Sequence, residues 1–184
     1  MDYEKIINSL AKKYNIKIIK KFTGAVGRAF INTNTIKIPK ELDTLDKFYV
    51  SLHEVGHIIE GVYKTSYETE YYAMQWALNY MKELKIYSKN IEESERRYLT
   101  QKLCQAKNRR CKIENIPCKI FKFSRLSPIW YMKSDKIYIN GRGWLKDSKI
   151  SYKKLDTEDK NTPEGWKCYK TIKQVGLPNY FTLD

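Results

Sequence analysis

Residues 52–60 read LHEVGHIIE, and they hold the only two histidines of the 184-residue chain, His53 and His57, with Glu54 between them. In an α-helix, residues four apart lie on one face, one turn above the other. Two imidazoles stacked in this way can close on a single Zn²⁺ at about 2.0–2.1 Å. Glu54 is rotated off that line and can reach a water on the metal rather than the metal itself, as a general base must. The flanking residues predict that the stretch is helical, over about 44–60. Asp43 or Thr44 can cap it, and Leu45, Phe48, Leu52, Val55 and Ile59 form a core face at helical spacing. Gly61 stands where a helix C-terminus favours a left-handed residue.

On the N-terminal side, residues 2–13 read as a helix with Asp2 as cap and Ile6, Ile7 and Leu10 as its apolar stripe. NIKIIKKF reads as a strand, Gly24 and Gly27 mark irregular backbone, and RAFIN and TIKIP read as a hairpin turning at Thr33 and Asn34 and ending at Pro39. A sheet just before the histidine helix can lay an edge beside the metal, where an extended peptide could pair with it.

On the C-terminal side, Thr65 with Glu68 makes a T-x-x-E capping box at the head of a second helix, about 66–86. A third helix, about 92–109, packs Tyr98, Leu99, Leu103 and Ala106 and runs into a cationic cluster: Lys102, Lys107, Arg109, Arg110 and Lys112. Pro117 ends this region. Beyond it KIFKF, IWYMK and KIYIN read as short strands, the last two joined at Ser134 and Asp135. The stretch 141–165 is polar and turn-rich, and WKCYKTI reads as one more strand. Residues 118–184 are therefore expected to form a small, basic, β-rich extension of a first domain at 1–117, giving an α+β chain.

A catalytic zinc site uses three protein ligands and water. With no third histidine, the candidates are Glu60, Glu68, Glu70, Cys104 and Cys111. Glu60 lies on the same helix as the histidines, and three ligands stacked along one helix make poor tetrahedral geometry. A carboxylate from a crossing helix fits better. Glu70 shares its face with Ala73 and Ala77, which let that face approach the histidine helix, whereas Glu68 is engaged by the cap. A tyrosine would be the natural donor to a developing oxyanion, and Tyr63, Tyr71 and Tyr72 are all close in sequence.

LHEVGHIIEG followed by ETEYYAMQWAL resembles the ImmA/IrrE-type metallopeptidases of bacteria, phages and mobile elements, in which the HExxH helix precedes a Glu-x-x-Ala helix that supplies the third ligand. Glu70, Ala73, Trp76 and Ala77 match that pattern. Met74 departs from it, standing where many members carry asparagine. The resemblance spans roughly residues 1–117. It implies a zincin-like minimal metallopeptidase domain with Zn²⁺ on His53, His57 and Glu70 and Glu54 as catalytic base, a gluzincin-like ligand set. It also implies hydrolysis of a specific protein, with a DNA-bound regulator as the characteristic target. The competing expectation is a binding or inhibitor protein that keeps this fold without cutting its partner.

Formal net charge is +14, and it is uneven: residues 1–90 hold 14 Lys+Arg against 10 Asp+Glu, residues 91–184 hold 21 against 11. The basic half suits a nucleic-acid contact through Lys107, Arg109, Arg110 and Lys112, with Arg125, Trp130, Tyr131, Lys133 and Arg142 mixing cations with aromatics. No apolar run approaches a membrane span, and the N-terminus lacks the basic and apolar regions of a signal peptide. A cytoplasmic protein is expected, with Cys104, Cys111, Cys118 and Cys168 as reduced thiols.

Overall fold

The computed structural model describes residues 1–108, 116–124, 138–140 and 144–146. The chain is α+β and divides into two compact units, Met1–Glu93 and Ser94–Asp184.

The first unit opens with α1 (Tyr3–Tyr14), capped by the Asp2 carboxylate, which accepts from the Lys5 N–H at 2.9 Å. Asn15 ends the helix in the left-handed region. Strand β1 (Lys17–Phe22) follows, then β2 (Arg28–Phe30), a single 3-10 turn at Ile31–Thr33, and β3 (Thr35–Pro39). The expected hairpin is present, with β2 antiparallel to β3. The sheet order is β1-β3-β2, and β1 runs parallel to β3. The connection at 23–27 therefore crosses the end of β3 to carry the chain from one sheet edge to the other. Asn34 ties this sheet to α1: its side-chain amide donates to the Tyr14 carbonyl at 3.0 Å, and its own carbonyl accepts from the Lys17 N–H at 2.8 Å.

Helix α2 (Leu45–Glu60) is capped by Thr44, whose hydroxyl accepts from the Lys47 N–H; the alternative cap Asp43 instead pairs with the Lys47 ammonium at 2.7 Å. Gly61 closes it at φ 75°, its N–H donating to the His57 carbonyl. Positive φ there favours glycine. Helix α3 (Ser66–Glu83) starts from Thr65 and is shorter at its end than the sequence suggested.

The core takes Ile7 and Leu10 from α1, Ile36 and Ile38 from β3, Phe48, Leu52 and Val55 from α2, and Tyr67, Met74, Leu78 and Met81 from α3. Each such side chain contributes about 1.5–3 kcal/mol of transfer free energy. Tyr3 stacks on Phe48, ring centroids 4.4 Å apart. Helix α2 packs against the sheet as well as α3, so its middle is buried almost all round, including Ser51, His53, Glu54 and Gly56.

Helix α4 (Lys89–Asn108) begins earlier than expected because Ser88 can cap it, accepting from the Ile91 N–H. In the second unit, α5 (Cys118–Ser124) receives two contacts from α4: Thr100 donates to the Ser124 carbonyl at 3.0 Å, and Arg96 donates to the Phe123 carbonyl while lying over the Phe123 ring. This corrects the reading of KIFKF as a strand. Ile120 and Phe121 are neighbours in sequence and both fully buried, which an alternating strand cannot provide and a helix can. The remaining described elements, β4 (Tyr138–Asn140) and β5 (Trp144–Lys146), pair antiparallel. The KIYIN strand is thus present at 138–140, and β5 lies in a stretch read as turn-rich. IWYMK and WKCYKTI lie outside the described residues. No helix among the described residues is long and apolar enough to cross a membrane.

Candidate metal centre

Helix α2 presents its histidines to α3 and Glu54 to the sheet. His53 and His57 stand one turn apart with rings edge-on, centroids 4.6 Å apart. Glu70, in the second turn of α3, brings one carboxylate oxygen to both: Oε2 lies 3.2 Å from His53 Nε2 and 3.4 Å from His57 Nε2. The three donor atoms all lie within 4.8 Å of one another, the only such group of metal-capable side chains among the described residues.

Two tight approaches flank this arrangement. A Cβ on Gly56 would fall 2.7 Å from the Ala73 carbonyl oxygen, so the backbones of α2 and α3 touch one residue before His57 and one turn after Glu70. The buried Ala73 and Ala77 keep the α3 side of that contact thin. On the other flank, a Cβ on Gly27 would fall 2.5 Å from Glu54 Cγ and 2.7 Å from its Oε1. The crossing loop thus lies directly on the Glu54 side chain. Neither contact was foreseen in the sequence, although both glycines were visible. A glycine inside a helix costs about 1 kcal/mol of helix propensity, which is itself a sign of close packing.

Glu54 is buried, and its backbone partner is the Ala29 N–H of β2. Burial pushes its carboxyl from 4.5 up to about 7; nearby His57 opposes the rise, Glu70 adds to it, and the Ala29 N–H opposes it. A carboxyl at that value can take up and release a proton near neutral pH.

Four ligands at 2.0–2.1 Å in a tetrahedron stand about 3.3 Å apart. The two nitrogen–oxygen separations, 3.2 and 3.4 Å, bracket that value. Two imidazoles and one carboxylate also match the chemistry of a borderline-soft divalent ion. The residues fit.

Among the other acids weighed as ligands, Glu68 accepts from the Thr65 hydroxyl at 2.7 Å, and Glu60 accepts from the Tyr63 hydroxyl at 3.1 Å. Neither joins the cluster. Tyr63 stacks on Tyr72, centroids 4.1 Å apart, and Tyr72 meets Tyr71 edge-on. The side chains of Cys104 and Lys107, together with Cys111, Arg109, Arg110, Lys112, Arg125, Trp130, Tyr131, Lys133 and Arg142, lie outside the described residues.

No protein-family model, curated protein or solved structure matches the chain.

Proposed function

We propose that this chain is a zinc-dependent endopeptidase with a zincin-like domain of ImmA/IrrE type, acting on a specific protein in the cytoplasm. The observation that carries the reading is that Glu70 Oε2 stands 3.2 Å from His53 Nε2 and 3.4 Å from His57 Nε2, with one donor atom from each of the three residues within 4.8 Å of the others. A DNA-bound regulator is the class of target that the family resemblance implies.

When bound, zinc would polarise the scissile carbonyl and acidify a water. The chain's own residues do the rest. His53 and His57 would offer their Nε2 lone pairs from one helix, and Glu70 would complete the set from the neighbouring one. Glu54, held in a dry site, accepts the proton of the attacking water and passes it to the leaving amine. The edge strand β2 is next to Glu54, through the Ala29 N–H. An extended substrate adding to that edge would lie along the site, its main chain fixed by sheet hydrogen bonds.

The test is incubation of the zinc-loaded protein with a peptide library derived from bacterial lysate, new N-termini being read by mass spectrometry. The wild type is expected to generate them. Glu54→Gln should keep zinc and generate none. Cleavage by that variant at the wild-type rate would remove Glu54 as base, and zinc-loaded wild type that cuts nothing would support the non-proteolytic binding protein instead.

A further inference from the structure

The sheet of the first unit has two unlike faces. Register puts Ile36 and Ile38 of β3, Ala29 of β2 and Ile18 and Lys20 of β1 on one of them. That face is buried at Ile36 and Ile38 and packs on α2. The opposite face carries two register rows, Lys17–Thr35–Phe30 and Ile19–Lys37–Arg28; past a register irregularity between Lys20 and Phe22, Phe22 pairs with Pro39. Lys17 and Arg28 are exposed, Ile19, Phe22, Phe30 and Lys37 are half-buried, and Thr35 and Pro39 are buried. Arg28 and Lys37 both lie against the Phe30 ring, 5.2 and 4.6 Å from its centroid. The two rows contain no carboxylate. Lys20, on the buried side, is bridged to Glu4, whereas no ion pair among the described residues engages Lys17, Arg28 or Lys37. Exposed Lys21 and Lys40 extend the positive charge past the Phe22 end.

We propose that this sheet face binds single-stranded nucleic acid, phosphates resting on Lys17, Arg28 and Lys37 and bases on the floor made by Phe22 and Phe30. Interleaved cations and aromatic rings on an open surface are what unpaired bases and their backbone require. A three-stranded sheet face presents no helix or two-stranded ribbon to enter a duplex groove. The site lies on the far side of the sheet from α2, so it is independent of the metal centre. It shares no residue with the basic cluster at Lys107, Arg109, Arg110 and Lys112.

The experiment is fluorescence anisotropy of labelled oligo-dT and oligo-U of about 12 nucleotides with the full chain, over a salt series. Binding should weaken as salt rises. The triple variant Lys17→Ala/Arg28→Ala/Lys37→Ala should bind at least about tenfold more weakly and lower the logarithmic salt slope by about 2. Phe30→Ala should bind about tenfold more weakly with the slope unchanged. The triple Arg109→Ala/Arg110→Ala/Lys112→Ala should retain wild-type binding. Because Lys17 and Arg28 are exposed, Arg28→Glu alone is a fold-preserving second variant, and it too should weaken binding. The proposal is overturned if the wild type does not bind at low salt, if the sheet variants bind as the wild type does, or if only the 109–112 variant loses binding. Equal affinity for duplex DNA, or binding to phosphatidylserine vesicles without binding to the oligonucleotides, overturns it as well.

Discussion

Gly56 of α2 lies against the backbone of Ala73 of α3: a Cβ on Gly56 would meet the Ala73 carbonyl oxygen at 2.7 Å and its Cα at 3.2 Å. Those atoms are main chain and cannot swing aside. Gly56→Ala must therefore separate the helices that carry the two histidines and Glu70. The strain should cost about 1–3 kcal/mol, offset in part by the better helix propensity of alanine. Zinc affinity should fall on the order of 10–100-fold. Competition with a chromophoric chelator measures it, and unchanged affinity in a folded Gly56→Ala variant would show that the contact does not position the site.

Glu70→Ala would remove the ligand proposed for α3. Zinc affinity should drop by more than about 100-fold while the fold persists, since Glu70 is half-buried and makes no part of the apolar core. Chelator competition beside a far-UV circular dichroism spectrum checks both halves. Zinc retained at wild-type strength would move the third ligand elsewhere.

Gly27 calls for a different outcome. Its extra methyl would meet the flexible Glu54 side chain rather than backbone. Gly27→Ala should therefore leave zinc content and melting temperature close to wild type while displacing the Glu54 carboxylate. Peptide cleavage should fall by about 10–100-fold, the scale of losing a well-placed general base in part. A variant with full cleavage would show that Glu54 tolerates the shift.

The pH dependence of the metal-free protein follows from Glu54. Burial holds its carboxyl near 7, against 4.5 for an ordinary glutamate. Between those values the folded chain keeps a proton that the unfolded chain has released. Stability is thus greatest below about 4.5 with respect to this group, falls as pH rises to about 7, and is flat above, by at most about 3 kcal/mol. Glu54→Gln removes the dependence and should be the more stable protein at pH 8. Urea unfolding of both proteins across pH 4.5–8 reads the difference; parallel profiles would mean that the carboxyl is not held neutral by burial.

Much of the first unit was legible because its signals are local. Asp2, Thr44 and Thr65 are capping residues with the backbone N–H three residues on within reach, and all three caps form. The histidine pair and the Glu70–Ala73–Ala77 face rest on helical spacing alone, and the helices bring the three donors together. What was not legible depends on partners distant in sequence. Nothing in NIKIIKKF says that it pairs parallel with TIKIP, leaving β2 as the edge. The loop that drapes Gly27 over Glu54 is a consequence of that topology. KIFKF failed for another reason: five residues cannot separate a strand period from a helical one, and burial at Ile120 and Phe121 decided for the helix. The one available signal was Pro117, whose carbonyl accepts from the Ile120 N–H at the start of α5.

X-ray absorption at the zinc K-edge of the purified, zinc-loaded protein puts the central claim to its most direct test. One zinc per chain is expected, with a first shell of nitrogen and oxygen alone at about 2.0–2.1 Å that includes the multiple-scattering signature of two imidazoles. A shell containing sulfur at about 2.3 Å, or a chain that binds no zinc, would contradict it.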